Sequence, residues 1–137
     1  MPIIVDASAT MAWCFEDEAT ADSVSLWVRA NAEGLLVPCI WPLEIANGLL
    51  LSERRRRIAP QSSDQFVFIL DRVIISVDQP DPSHTWSDTL RLARETGLTV
   101  YDASYLELAL RTGFELATRD TRLGAAAAAR GVKLIAT

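Results

Sequence analysis

Asp6, Glu44, Asp102 and Asp120 are the residues of this 137-residue chain best placed to do chemistry. Asp6 closes the apolar run Ile3-Ile4-Val5, Glu44 ends Trp41-Pro42-Leu43-Glu44, Asp102 follows Val100-Tyr101, and Asp120 follows Leu116-Ala117-Thr118-Arg119. Other reactive groups are scarce: one histidine, His84, two separated cysteines, Cys14 and Cys39, and no glycine-rich phosphate loop. Any enzymatic work therefore falls to carboxylates. Two of them about 5 Å apart repel by roughly 3 kcal/mol at an effective dielectric near 20, so a cluster requires protonation, arginine partners or bridging cations. Oxygen ligands without imidazole or thiolate suit Mg²⁺ or Mn²⁺ better than zinc. Two such ions about 4 Å apart can activate a water and stabilise the leaving oxygen of a phosphodiester.

A simpler explanation exists for some of these acids. Aspartate just before a helix is a favoured N-cap, worth ~1 kcal/mol, and Asp6, Asp102 and Asp120 all fit that description in the sequence. Taken singly, each is adequately explained as a cap. Glu44 is not, because an acid within a mostly apolar segment needs a partner once buried. The four together carry the metal-site reading.

The surrounding pattern alternates strands and helices. Ile3-Ile4-Val5 reads as a buried strand entering a helix at Asp6, and a second helix is expected from Ala19 to Ala32, stopped by Gly34. A short strand Leu35-Leu36-Val37 ends at Pro38, and a helix runs from Pro42 to about Arg57 with Glu44 near its start. Further helices are expected over 60–72 and 83–96, separated by a strand Val73-Ile74-Ile75-Ser76-Val77. Asp102 opens a helix that closes at Gly113, Glu115-Leu116-Ala117-Thr118 is a strand, Ala125–Ala129 belong to a last helix, and Val132-Lys133-Leu134-Ile135 is the last strand. This order predicts an α/β fold with a parallel sheet covered on both faces, and such sheets place their sites beyond the carboxyl ends of the strands. The chain reads as one domain over 1–137, without linker or repeat.

The net charge of -5 argues against nucleic-acid binding through a global positive field, although the run Arg54-Arg55-Arg56-Arg57 and the pair Arg119 and Arg122 flanking Asp120 offer local phosphate contacts. The bland alternative for these arginines is a solvated helix end and ordinary surface pairing. A hydrophobic fraction of 50% points to a covered surface. No run approaches the ~20 apolar residues of a membrane span and no signal segment precedes the first strand, so a cytoplasmic location is expected, with Cys14 and Cys39 as buried free thiols. His84 is expected to be exposed in a helix's first turn.

Val5-Asp6-Ala7-Ser8, Pro42-Leu43-Glu44-Ile45-Ala46-Asn47, Tyr101-Asp102-Ala103-Ser104-Tyr105 and Ala117-Thr118-Arg119-Asp120, in that order, resemble the PIN-domain ribonucleases, and the VapC-type toxins in particular. The resemblance implies a PIN-like three-layer domain with a central parallel sheet flanked by helices. It further implies Mg²⁺- or Mn²⁺-dependent endoribonuclease activity on an RNA substrate, a VapB-type antitoxin partner and a homodimer. Carried over position by position, Asp6 and Asp102 are the primary metal ligands and Asp120 and Glu44 complete the acidic site. Thr118 is then a supporting hydroxyl, and Asn47, one turn after Glu44, helps to orient it. Trp13 and Trp41, near Asp6 and Glu44, are the candidate aromatic contacts for an antitoxin segment or RNA bases.

Two other classes compete with this reading. A phosphoacceptor signalling domain shares an acidic Mg²⁺ pocket, but here no paired acids follow the first strand and the only lysine, Lys133, lies in the last one. A non-catalytic PIN-like binding module would use the same fold, yet has no use for a repulsive acidic cluster.

Overall fold

A computed structural model describes all of residues 1–137. The chain runs β1 (Ile4–Val5), α1 (Ala7–Met11), a 3₁₀ turn (Glu16–Glu18), α2 (Ala21–Glu33), β2 (Leu35–Pro38), α3 (Trp41–Arg54) and α4 (Pro60–Leu70). It continues with β3 (Ile75–Asp78), α5 (Pro82–His84), a π-helical turn (Thr85–Thr89), α6 (Leu90–Thr96), α7 (Val100–Thr112), β4 (Leu116–Ala117), α8 (Thr121–Ala129) and β5 (Leu134–Ile135). The expected parallel α/β architecture is present.

Every strand pairing is parallel. β4 lies between β1 and β5, with Ile4 opposite Leu116 and Val5 opposite Ala117, while β2 pairs with β3. A single bridge, Ile3 to Leu35, joins the two ladders, giving the spatial order 3-2-1-4-5. The chain thus leaves β1 towards β2 and β3, and returns to its other side as β4. The crevice beyond the carboxyl ends of β1 and β4 is therefore the topological switch point, the usual ligand site of an open α/β sheet.

The central strands β1, β2 and β4 are covered on both faces, whereas β3 and β5, at the two edges, are partly exposed. Ile3, Ile4, Val5, Leu35, Val37, Leu116 and Ala117 are all at most 1% exposed, consistent with the continuous apolar runs of a doubly covered parallel sheet. Gly34 ends α2 at φ +81°, where a Cβ would stand 3.1 Å from the Ile74 carbonyl oxygen, so the α2–β2 corner tolerates no side chain.

Several expected boundaries shift for identifiable reasons. Strand β3 begins at Ile75 rather than Val73, because the Val73 amide still bonds Leu70 O at 3.0 Å in the turn closing α4. The expected helix over 83–96 contains the π turn. The expected helix opening at Asp102 begins two residues earlier: Thr99 caps it by accepting the Asp102 amide at 3.1 Å, leaving Asp102 inside the first turn. Asp102 is thus not an N-cap.

Candidate active site

Asp6 occupies the switch point. Its Oδ1 caps α1 by accepting the Ala9 amide at 2.9 Å and the Ser8 hydroxyl at 2.7 Å, and its Oδ2 accepts the Thr118 hydroxyl across the crevice. The β1–β4 ladder sets this meeting, since the Asp6 amide bonds Ala117 O at 3.0 Å and so brings Thr118 alongside. Thr118 Oγ1 in turn accepts the Asp120 amide at 3.0 Å, and Ser8 Oγ accepts the Arg119 amide at 2.9 Å. Two hydroxyls therefore lock the loop carrying Asp120 against Asp6.

Asp120 caps α8, its Oδ1 accepting the amides of Arg122 at 2.9 Å and Leu123 at 3.0 Å. Glu44 approaches from the first turn of α3, and its Oε1 accepts the hydroxyl of Tyr105 on α7 at 2.6 Å. Asp102 stands one turn before Tyr105 on that helix. Asp120 Oδ2 and Glu44 Oε2 have no protein hydrogen-bond partner.

The electrostatics tie the four acids into one group. Asp6, only 4% exposed, has its carboxyl raised above the usual carboxylate value by burial, opposed by the Thr118, Ala9 and Ser8 hydrogen bonds and reinforced by Asp120. Glu44 is raised by burial and by Asp102 and Asp6, with Tyr105 opposing. Asp102 is raised by burial and by Asp120 and Asp6, with Thr99 and Arg122 opposing. Burial and the Glu44 hydrogen bond likewise push the Tyr105 phenol up.

None of these acids takes part in a salt bridge, whereas Asp17, Glu18, Glu33, Asp78, Asp88, Glu95, Glu107 and Glu115 all do. Eight of the other fourteen carboxylates are thus paired, whereas this partly buried group has no ion pair, the nearest cationic influence being Arg122 on Asp102. No three His, Cys, Asp or Glu side chains close around one point as a ready-made cage. That arrangement still fits a hard divalent ion, because Mg²⁺ keeps several waters and is held by one or two carboxylates plus substrate oxygens. The free oxygens of Glu44 and Asp120, with Asp6 and Asp102, would supply such donors.

Other sequence-level candidates are placed differently. Asn47 makes no hydrogen bond to Glu44, and Tyr105 fills the orienting role. Its visible signal was a tyrosine on the apolar stripe of a helix, since a phenol 1% exposed needs a partner for its hydroxyl. Trp41 is core, 4% exposed and donating to Thr10 Oγ1 at 3.1 Å, whereas Trp13 donates to Ser23 O and stacks edge-on with Trp27. Arg57 lies over Phe15 and pairs with Asp17 and Glu18, and Arg119 also turns to Glu18. Cys39 is exposed and Cys14 partly buried, so only Cys14 approaches the expected environment. His84 is not free in solvent: its ring nitrogens lie 2.9 Å from Asp88 and 2.7 Å from Glu107.

Tyr105→Phe should destabilise the protein by about 1–2 kcal/mol, because it deletes a hydrogen bond to a charged group while preserving the ring. Urea denaturation measures this, and a change below ~0.3 kcal/mol would show that the Tyr105–Glu44 bond contributes nothing.

Comparison with known proteins extends these observations over the whole fold. Ribonuclease VapC3 from Pyrobaculum aerophilum is 28% identical over 123 residues, covering 90% of this chain and 92% of that protein. The crystal structure of PAE2754 from Pyrobaculum aerophilum superposes with a TM-score of 0.73 at 28% identity, covering 98% of this chain and 83% of that one. That of FitAcB from Neisseria gonorrhoeae gives a TM-score of 0.63 at 17% identity, over 97% and 96% of the two chains, a likeness of fold. The PIN-domain family model matches residues 3–129, a span that takes in β1 to β4 and all four acids, and this chain belongs to the PIN-domain family.

Proposed function

We propose that this protein is a Mg²⁺- or Mn²⁺-dependent endoribonuclease, the toxin of a type II toxin–antitoxin pair, held in check by a VapB-type antitoxin. The observation that carries the proposal is the group of four carboxylates at the switch point, mutually repulsive and left out of every salt bridge. The relative named Ribonuclease VapC3 supports RNA as the substrate. When bound, the divalent ion supplies an activated water and charge stabilisation for the leaving oxygen.

The chain's own groups have distinct tasks. Asp6 is fixed on both oxygens, so its orientation is set before substrate arrives, with Thr118 and Ser8 as its positioning residues. Tyr105 holds Glu44 and leaves Oε2 free. Asp120 presents Oδ2 while Oδ1 is committed to α8. Asp102 is carried by the first turn of α7, beside Thr99 and Arg122.

For the antitoxin, Trp13 is better placed than buried Trp41, because it lines an apolar groove of about 330 Å³ with Trp27, Phe66 and Ile69. No helix is long and apolar enough to cross a membrane, and the proposed setting is the cytoplasm. A homodimer remains part of the proposal.

The cluster should also register in stability. A raised carboxyl binds protons more readily in the folded state than in the unfolded chain. Stability contributed by Asp102 therefore falls as pH rises from the ordinary carboxylate value through its raised value, and is fully lost above both. Asp102→Asn should raise the melting temperature near neutral pH without divalent ions, by about 3–5 °C for a relief of order 1 kcal/mol. The gain should shrink as pH falls through that window. Millimolar Mn²⁺ should stabilise the unsubstituted protein and do so less in the variant. Differential scanning fluorimetry with and without EDTA reads both effects, and a variant insensitive to pH yet stabilised equally by Mn²⁺ would oppose them.

A further inference from the structure

A second cavity lies next to the acids. It encloses about 200 Å³ beyond the carboxyl ends of β2 and β3, between the π turn and α7. Its polar walls include Asp78, Thr85, Thr89, Ser104 and Glu107, and Tyr101 stands at its edge, 60% exposed. A further hollow of about 250 Å³ shares Ile40 and Tyr101 with it and is lined by Glu44. The cavity is thus one shared wall from the proposed cleavage site.

Thr89 offers the cavity an unpaired hydroxyl. The residue is 3% exposed, lines the cavity, and its hydroxyl enters no hydrogen bond, whereas Thr96 and Thr112 on the neighbouring helices each bond the carbonyl one turn back at 2.7 Å. The π turn that carries Thr85 and Thr89 is a second sign, since such turns are rare and concentrate at functional sites.

The wall chemistry limits the guest. Asp78 and Glu107 only accept hydrogen bonds, and no cationic side chain lines the cavity. Arg111 bonds both carboxylates, at 2.6 Å to Asp78 and 2.8 Å to Glu107, and His84 also meets Glu107 Oε1 at 2.7 Å, so the pair is partly neutralised while Asp78 and Glu107 Oε2 keep lone pairs to accept. A neutral planar group with an amine on its edge is matched. A group presenting carbonyl oxygens to Asp78 and Glu107 is opposed, whereas the Thr89 hydroxyl can donate or accept.

We propose that this cavity is a nucleobase subsite that takes one unpaired RNA base bearing an exocyclic amine, stacked at its entrance on Tyr101 and hydrogen-bonded at its edge by Thr89, Asp78 and Glu107. It rests on the ribonuclease reading above and refines it to a base preference against uracil. Adenine and cytosine present an amine where uracil presents a carbonyl, and single-stranded RNA is read by stacking plus edge contacts of this kind.

The test is binding without cleavage. Fluorescence anisotropy with 5′-labelled oligocytidylate, oligoadenylate and oligouridylate is measured on the Asp6→Asn protein in Mg²⁺, alone and with Thr89→Val or Tyr101→Ala added. Oligocytidylate and oligoadenylate should bind at least about tenfold more tightly than oligouridylate. Thr89→Val should shrink that ratio by about fivefold, and Tyr101→Ala, at an exposed site where folding is not at stake, should weaken all three by about fivefold or more. Equal affinities, a preference for oligouridylate, or a ratio unmoved by Thr89→Val in a protein that melts normally would overturn the inference. Failure of the nuclease reading itself shows separately, as absence of cleavage by the unsubstituted protein, and leaves the binding order to be judged alone.

Discussion

Asp6→Asn should lower RNA cleavage by about 10²–10³-fold while the protein stays folded, because it removes the charge at the centre of the site and little else. Asparagine ranks with aspartate as an N-cap, so its side-chain oxygen can keep the Ala9 amide and the Ser8 hydroxyl that Asp6 Oδ1 accepts. Its amide nitrogen would face Thr118 Oγ1, a hydroxyl able to accept instead of donate. Stability should therefore change by less than about 1 kcal/mol, and upwards if relief of repulsion from Asp120 outweighs the altered hydrogen bond. Asp6→Ala is the informative contrast. It removes the cap and leaves buried donors without an acceptor, so it should destabilise by about 2–3 kcal/mol in addition to stopping cleavage. Thermal melts alongside cleavage rates separate the two. If Asp6→Asn cleaved RNA at an undiminished rate, the acid would be a helix cap and no more.

Leu116→Ala should be the most damaging core substitution in the sheet, with a loss of about 3 kcal/mol and roughly 10 °C in melting temperature. Leu116 is 0% exposed, and β4 is bonded on both sides, to β1 and to β5. A hole there cannot be closed by one neighbour moving without disturbing the other ladder. The same strand delivers Thr118 and Asp120 to the switch point, so reduced cleavage should accompany the lost stability. Ile74→Ala provides the control, since Ile74 is 77% exposed and its truncation should stay within about 0.5 kcal/mol. Urea denaturation of the pair tests the packing directly. A loss below about 1 kcal/mol for Leu116→Ala would show that the sheet is looser than its burial implies.

How far the sequence anticipates this molecule depends on what each residue signals locally. Asp6 and Asp120 are legible because a short apolar run followed by an acid and a helix-compatible stretch marks a strand-to-helix junction, and the parallel sheet puts such junctions at one rim. Glu44 is legible because capping does not explain an acid among apolar residues. The place of Asp102 is anticipated, but Thr99 takes the cap three residues earlier, a competition between two good caps that spacing alone does not decide. The strand order is invisible in the sequence, because strands of two to four residues carry little register information and the ladders meet at one bridge. The Glu44–Tyr105 bond links residues 61 apart in the chain, and the Asp6–Thr118 bond links residues 112 apart. The π turn has no sequence signature at this level, whereas the spacing of His84 and Asp88 was a readable i,i+4 signal for the pairing that holds the histidine.

The central claim is that the four acids support metal-dependent hydrolysis of RNA. It is tested most directly by incubating total cellular RNA with the purified protein in Mn²⁺ or Mg²⁺, with EDTA in parallel, and with Asp6→Asn in place of the unsubstituted chain. Discrete fragments that require the divalent ion and vanish with both EDTA and Asp6→Asn are the predicted result. Fragments that persist in EDTA or with the variant would contradict the account, and no cleavage by a folded, antitoxin-free protein would favour a binding module built on the same fold.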